Sequence, residues 1–134
     1  MNKIIVSGKR KTAIAKATIN AGTGKVTINK KPIEFFPFLQ QLELKEPLRI
    51  AEELLGKPNF DINVNVKGGG KMSRIEASRL TIARAILKFS KNNEQLKRAF
   101  LSYDRNMLIA DTRRKEAYKP DDSKARAKRQ TSYR

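Results

Sequence analysis

The chain contains no cysteine, no histidine and no tryptophan. Without cysteine there is no disulfide, no thiolate nucleophile and no thiolate metal ligand. Without histidine the commonest general base and the commonest metal-binding ring are missing too. Carboxylates remain for acid–base work, but they are scarce: 13 Asp and Glu stand against 30 Lys and Arg, a formal net charge of +17. Long apolar runs are also missing. Ile4-Ile5-Val6 falls far short of the ~20 residues that cross a bilayer, or of a secretory signal core. The chain is expected to be intracellular, with no membrane partner, no metal and no cofactor.

What is present is one ordinary domain's length, 134 residues, with 39% hydrophobic and 32% charged content. A modest core can form, and much of the chain must stay solvated or bind something. The charge is uneven. Residues 1–33 hold eight basic residues and no acidic one; residues 34–111 hold thirteen basic and ten acidic; residues 112–134 hold nine basic and three acidic. The middle is balanced, whereas both ends are built for a polyanion. Beyond Asp111 the apolar pattern stops, and such a segment cannot bury enough surface to fold alone. The expected division is a globular RNA-binding domain over residues 1–111 and an extended basic tail over residues 112–134.

The stretch from Phe60 to Phe89 organises the rest. Phe60, Ile62, Val64 and Val66 alternate with Asp61, Asn63 and Asn65, as in a strand with one buried face. Lys67-Gly68-Gly69-Gly70-Lys71 follows. Ser73 and Glu76 then match a capping box, and Ile75, Ile82, Ile86 and Phe89 recur at helical spacing. Helix-start amides attract anions, and glycines let an anion come close. A nucleoside-triphosphate loop of the G-x-x-x-x-G-K-[ST] type is a poor fit: Asn65 stands at its first glycine and Met72 at its hydroxyl residue. Two readings stay open here, a plain turn joining strand to helix and a site for nucleic-acid backbone. On the second, Gly69→Val is expected to weaken incorporation into a ribonucleoprotein particle while leaving the isolated domain folded.

The remaining elements follow in order. Residues 3–7 read as a short strand and Gly8-Lys9-Arg10-Lys11 as a basic turn. A second strand runs over 12–19, with Ala13, Ala15, Ala17 and Ile19 on one face. Ala21-Gly22-Thr23-Gly24 reads as a hairpin loop into a strand over 25–29, which Asn29-Lys30-Lys31-Pro32 ends. Ile33, Phe35, Phe36, Phe38 and Leu39 are expected in the core, since they lack the interleaved lysines of a base-stacking surface. Pro47 suits the first turn of a helix with a Leu48, Ala51, Leu54, Leu55 stripe, ended by Gly56. Asn92 is expected to cap a helix carrying Leu96, Ala99 and Phe100, and Met107, Leu108 and Ile109 to form a last strand-like run.

Five stretches, in this order, carry a resemblance. They are Gly8-Lys9-Arg10-Lys11-Thr12-Ala13-Ile14-Ala15-Lys16-Ala17, Val66-Lys67-Gly68-Gly69-Gly70-Lys71, Ala83-Arg84-Ala85, Asp111-Thr112-Arg113-Arg114-Lys115-Glu116 and Gln130-Thr131-Ser132-Tyr133-Arg134. Together they resemble the family of universal ribosomal protein nine of the small subunit, in its archaeal and eukaryotic form, over essentially the whole chain. The resemblance implies an α+β fold, a two-layer α/β sandwich similar to the second domain of ribosomal protein five. Its mostly antiparallel four-stranded sheet has helices on one face, and an extended basic C-terminal tail follows. It implies a structural role without catalysis in the head of the small ribosomal subunit. The implied partners are ribosomal RNA, neighbouring ribosomal proteins and P-site tRNA. Small-molecule kinases share a related topology, so a nucleotide-using enzyme is one alternative; an extraribosomal RNA chaperone is another.

The expected ribosomal-RNA contacts are Lys9, Arg10 and Lys11 in the first turn, and Lys67, Gly68, Gly69, Gly70, Lys71 and Arg74 at the glycine corner. Arg113, Arg114, Lys115, Lys124, Arg126, Lys128 and Arg129 in the tail complete the set. The resemblance places Ser132, Tyr133 and Arg134 against the tRNA. The chain departs from the family's usual pattern at Ser73-Arg74, where glycine or serine precedes glutamine in many members. It departs again at Ala117-Tyr118-Lys119-Pro120-Asp121-Asp122, where many have paired lysines followed by glycines.

Overall fold

Alternation and small residues set the sheet. The computed structural model describes residues 3–133. Strands β1 (Ile4–Arg10) and β2 (Ala13–Ala21) form an antiparallel hairpin that turns at Lys11 and Thr12. β3 (Val26–Ile28), β4 (Lys31–Pro32) and β5 (Phe60–Lys67) complete one mixed, mostly antiparallel sheet in the order β1-β2-β5-β3-β4. β5 pairs antiparallel with β2 and parallel with β3. The expected sheet had four strands. The fifth, β4, exists because Asn29 and Lys30 both take left-handed backbone angles and turn the chain straight back onto β3.

The expected hairpin over residues 21–24 is absent, because β5 lies between β2 and β3. The Asp61 carboxylate of β5 draws the loop across the sheet end by accepting the N–H groups of Thr23, Gly24 and Lys25 at 2.8–3.0 Å. Those donors, Lys25 first and Thr23 next, hold its pKa below the ordinary value.

Two long helices cover one face. α1 (Phe38–Leu55) and α2 (Lys71–Phe89) lie side by side and run the same way. Gln40 meets Met72, Glu46 pairs with Arg79, and further along Leu48, Ala51 and Leu55 share one cavity wall with Phe89. α2 lies across Ala13, Ala15 and Ala17, and it comes so near β1 that a Cβ on Gly8 would sit 2.5 Å from Thr81 Oγ1. The buried hydroxyls of Ser78 and Thr81 are satisfied by carbonyls one turn back, those of Arg74 and Ala77. α3 (Glu94–Tyr103) and a 3-10 turn (Arg105–Met107) close the core with Leu96, Phe100 and Met107. Among the described residues no helix is long and apolar enough to cross a membrane.

Several local expectations give way. α1 begins at Phe38, so Pro47 falls mid-helix, buried between Leu44 and Ala51. Its missing N–H leaves the carbonyl four residues back without a helical partner. The early start carries Phe38 and Leu39 past the rim of the core. They are 71% and 73% exposed, Phe35 is 66% exposed, and only Ile33 of the expected cluster is fully buried. Leu54 and Leu55 are also largely exposed. Ser73 does not cap α2: Gly70 is the cap, without a side-chain bond, and Glu76 instead takes Arg10 of β1 at 2.6 Å. Asn93, not Asn92, caps α3. Met107 belongs to a 3-10 turn held by Asp104 rather than to a strand. After Met107 the described residues contain no helix or strand.

Candidate nucleic-acid interface

The interface is built at the end of the sheet where β5 stops and β1 turns into β2. Gly68 and Gly69 have φ of 77° and 69°, a left-handed pair that few side chains tolerate. They also lie against the β1–β2 turn. A Cβ on Gly68 would sit 2.6 Å from the Thr12 carbonyl oxygen, and one on Gly69 would sit 2.8 Å from Ala13 Cβ. The glycines thus seat the corner on the basic turn. Gly69→Val is therefore strained on both counts, and it disturbs the seating of the corner as well as any ligand there. Gly70 differs: its φ is an ordinary −80° and a Cβ there meets nothing within 4 Å. No side chain caps the helix at this point, and the first amides of an α-helix have no partner within the helix. Arg74 braces the loop by donating Nε to the Gly68 carbonyl at 3.0 Å.

Three arginines bring the far end of the chain to the same place. Arg84 of α2 donates Nε to the Leu108 carbonyl at 2.9 Å and Nη1 to the Ser7 carbonyl at 3.0 Å. Arg79 bridges Glu46 of α1 and Asp104, the latter at 2.9 Å. Burial works against charge on both Arg79 and Asp104. It is the largest single influence on each, but the bond between them, together with Glu46 beside Arg79 and the Asn106 N–H on Asp104, outweighs it, leaving the Asp104 pKa lowered and that of Arg79 raised. Arg10 meets Glu76 and lies 3.5 Å from Asp111. The Arg113 guanidinium, then its backbone N–H, then Arg10 hold the Asp111 carboxyl well below the usual carboxylate range.

The chain leaving Asp111 therefore runs beside the β1–β2 turn. Arg10, Lys11, Thr12, Arg113, Arg114 and Lys115 line one groove of about 770 Å³. Next to it, through Thr12 and Ala13, sits the Lys67–Lys71 corner. Lys9, Lys11, Lys67, Lys71, Arg113, Arg114 and Lys115 are all exposed there. Arg10 is not: its side chain is 13% exposed and its Nη1 is buried without a partner. Its contacts with Glu76 and Asp111 brace the fold at this edge of the groove.

The later tail residues are not gathered into this cluster. Arg126 pairs with Glu116 at 3.1 Å, and Arg129 with Asp122 at 2.6 Å. Lys124, Lys128, Ser132 and Tyr133 are exposed. Arg134 lies outside the described residues. Of the two arginines whose clasps bring the segments together, Arg79 had no signal in the sequence beyond being a charged residue on an otherwise apolar helix face, whereas Arg84 stood in the Ala83-Arg84-Ala85 stretch of the resemblance without a stated role.

The family model for ribosomal protein S9/S16 matches residues 8–134. The chain is 47% identical, over the full length of both, to small ribosomal subunit protein uS9 of Methanococcus vannielii. It shows the same identity and coverage to the protein of that name from one strain of Methanococcus maripaludis and 46% to that from another. With a match that begins at the Gly8-Lys9-Arg10-Lys11 stretch and relatives nearly half identical from end to end, this chain belongs to the ribosomal protein S9/S16 family.

Proposed function

We propose that this chain is a structural constituent of the small ribosomal subunit in the cytoplasm, and that its convergent basic end grips ribosomal RNA backbone. The observation that carries the reading is the convergence itself. Lys9 and Lys11, then Lys67 and Lys71, then Arg113, Arg114 and Lys115 come from three distant stretches and meet at one end of the sheet. The mechanism is charge neutralisation with release of counterions, reinforced by the leading amides of α2. Shape rather than base identity sets where it binds.

Residues 1–111 act as the RNA-binding globular unit and residues 112–134 as a basic extension. Its carboxylates, Glu116 and Asp122, occupy Arg126 and Arg129 until phosphates replace them. Sixteen residues from Lys119 reach at most ~55 Å when extended, enough to cross a layer of RNA and bring Ser132, Tyr133 and Arg134 to P-site tRNA. Neighbouring ribosomal proteins complete its surroundings. Catalysis has no part in the reading: purified protein is expected not to turn over ATP above background, and a turnover lost in Lys71→Ala would revive the kinase-like alternative.

The test is salt-dependent binding of the full chain to small-subunit ribosomal RNA. Replacing Lys11, Arg114 and Lys115 with serine removes three exposed charges from the groove. The slope of log affinity against log salt becomes less negative by about two to three. An unchanged slope overturns the reading. For the tail, removal of Ser132 to Arg134 speeds tRNA release from the P site at low salt while subunits still assemble; equal release rates refute that part.

A further inference from the structure

Among the described residues, all helices lie on one face of the sheet and none covers the other. Registers fix what it presents. Nearest the basic end, Lys9, Ile14 and Lys67 stand in one row across β1, β2 and β5. The next row is Ser7, Lys16 and Asn65; the one after is Ile5, Thr18, Asn63 and Thr27. Lys9, Lys16, Asn63, Asn65 and Lys67 are exposed, and so are the two isoleucines. The acid on these outward positions, Asp61, has its charge answered by loop amides. The face is thus graded: ammonium groups at one end, amides and hydroxyls in the middle, no aromatic ring among those rows.

We propose that this open face is a second RNA-binding surface, which takes double-helical RNA across its minor groove. The inference rests on the ribosomal-RNA reading above and extends it to a surface continuous with the basic end through Lys9 and Lys67. Charge complementarity names the partner class. The absence of a ring among those rows speaks against single-stranded bases, which stack. Amides and hydroxyls both donate and accept, as a ribose 2′-hydroxyl does, and the minor groove of an RNA duplex is wide, shallow and lined by such hydroxyls. The lysine row and the Thr18–Asn63–Thr27 row are four residues apart along the strands, about 13–14 Å. One end of the face therefore meets a phosphate strand while the middle meets sugars. Thr27 already donates to Asn63 Oδ1, which leaves the Asn63 amide N–H groups free to point outward.

The experiment uses the full chain and transcribed small-subunit ribosomal RNA. Three exposed residues change together: Lys16→Ala, Asn63→Ala and Asn65→Ala. Thermal melts confirm that the variant folds, and the single variant Lys16→Glu gives a second measure. We expect affinity to fall at least tenfold. The salt slope should shrink by about one for the single phosphate that Lys16 answers. A patch of ribose protection that the native chain gives in hydroxyl-radical footprinting should vanish, while protection by the Lys11 and Arg114 groove persists. Native affinity and an unaltered footprint in both variants overturn the proposal and leave the ribosomal reading standing. So does a crosslink from position 16 or 63 in intact subunits that runs to protein instead of RNA. Failure of the native chain itself to bind the RNA sinks the reading on which the proposal rests.

Discussion

Arg10 of β1 lies 3.5 Å from Asp111, the residue after which the apolar pattern stops. Through that pair the start of the folded chain fixes the direction in which its basic end departs. Asp111 is held below its ordinary pKa by Arg113 and Arg10. A depressed carboxylate stabilises the fold above its unfolded pKa, ~3.9, and loses that contribution as pH falls through the lower folded value. Native protein should therefore lose more melting temperature between pH 5 and pH 2 than Asp111→Asn does. Parallel curves for the two would remove the pair from the account of stability.

Glu43 has the opposite sign. Burial first, and then the charges of Glu76 and Glu46, raise its pKa against the pull of Arg79. A raised carboxylate favours the fold when protonated, and that advantage disappears as pH rises through the folded value. Glu43→Gln is expected to melt higher than native protein at pH 7 and to match it near pH 3. A variant that melts lower at pH 7 contradicts the crowding of carboxylates between α1 and α2.

The glycine corner separates fold from ligand. Gly69→Ala places a Cβ against Ala13 at a φ of 69°, which we expect to cost about 1–3 kcal/mol in denaturant melts. Gly70→Ala meets no atom and should cost no more than about 1 kcal/mol, the preference of a helix cap for glycine over alanine. Any loss of RNA affinity in the second variant then reports on close approach of phosphate to the α2 amides. Equal stability of the two variants would show that the corner does not seat on the turn.

Phe100 and Phe38 form a matched pair for the core. Phe100 is fully buried and Phe38 is 71% exposed. Truncation to alanine should cost about 3–5 kcal/mol at Phe100 and under ~1 kcal/mol at Phe38. A large loss at position 38 would mean that α1 starts later than Phe38.

β2, β5 and the inner face of α2 were legible because each repeats one period over eight or more residues, with a single face against the core. The loop at residues 21–24 was not, because nothing local shows that Asp61, nearly forty residues on, captures its amides. The Ser73 cap was misread for a related reason. Glu76 finds a guanidinium on another element, and that outbids a backbone N–H in its own turn. Phe38 and Leu39 look like core in any composition-based reading; only the point where α1 begins puts them outside. For the interface, the charge of each segment was plain. Their meeting was not, since it depends on clasps such as that between Arg84 and Ser7, 77 positions apart.

The strand order also bears on how the molecule comes together in time. The β1–β2 hairpin is local, and it can close as soon as Ala21 is made. β5 must then insert between β2 and a β3 already synthesised, across a loop that contains all of α1. Closing that loop costs chain entropy before any contact repays it. Seating of Gly68 and Gly69 on the turn waits for that step, and the arrival of Arg113 to Lys115 waits for Arg84 and Asp111 to find β1. The complete grip therefore needs stretches as far apart as Lys11 and Lys115 to meet, so a nascent chain cannot present it before Lys115 has been made.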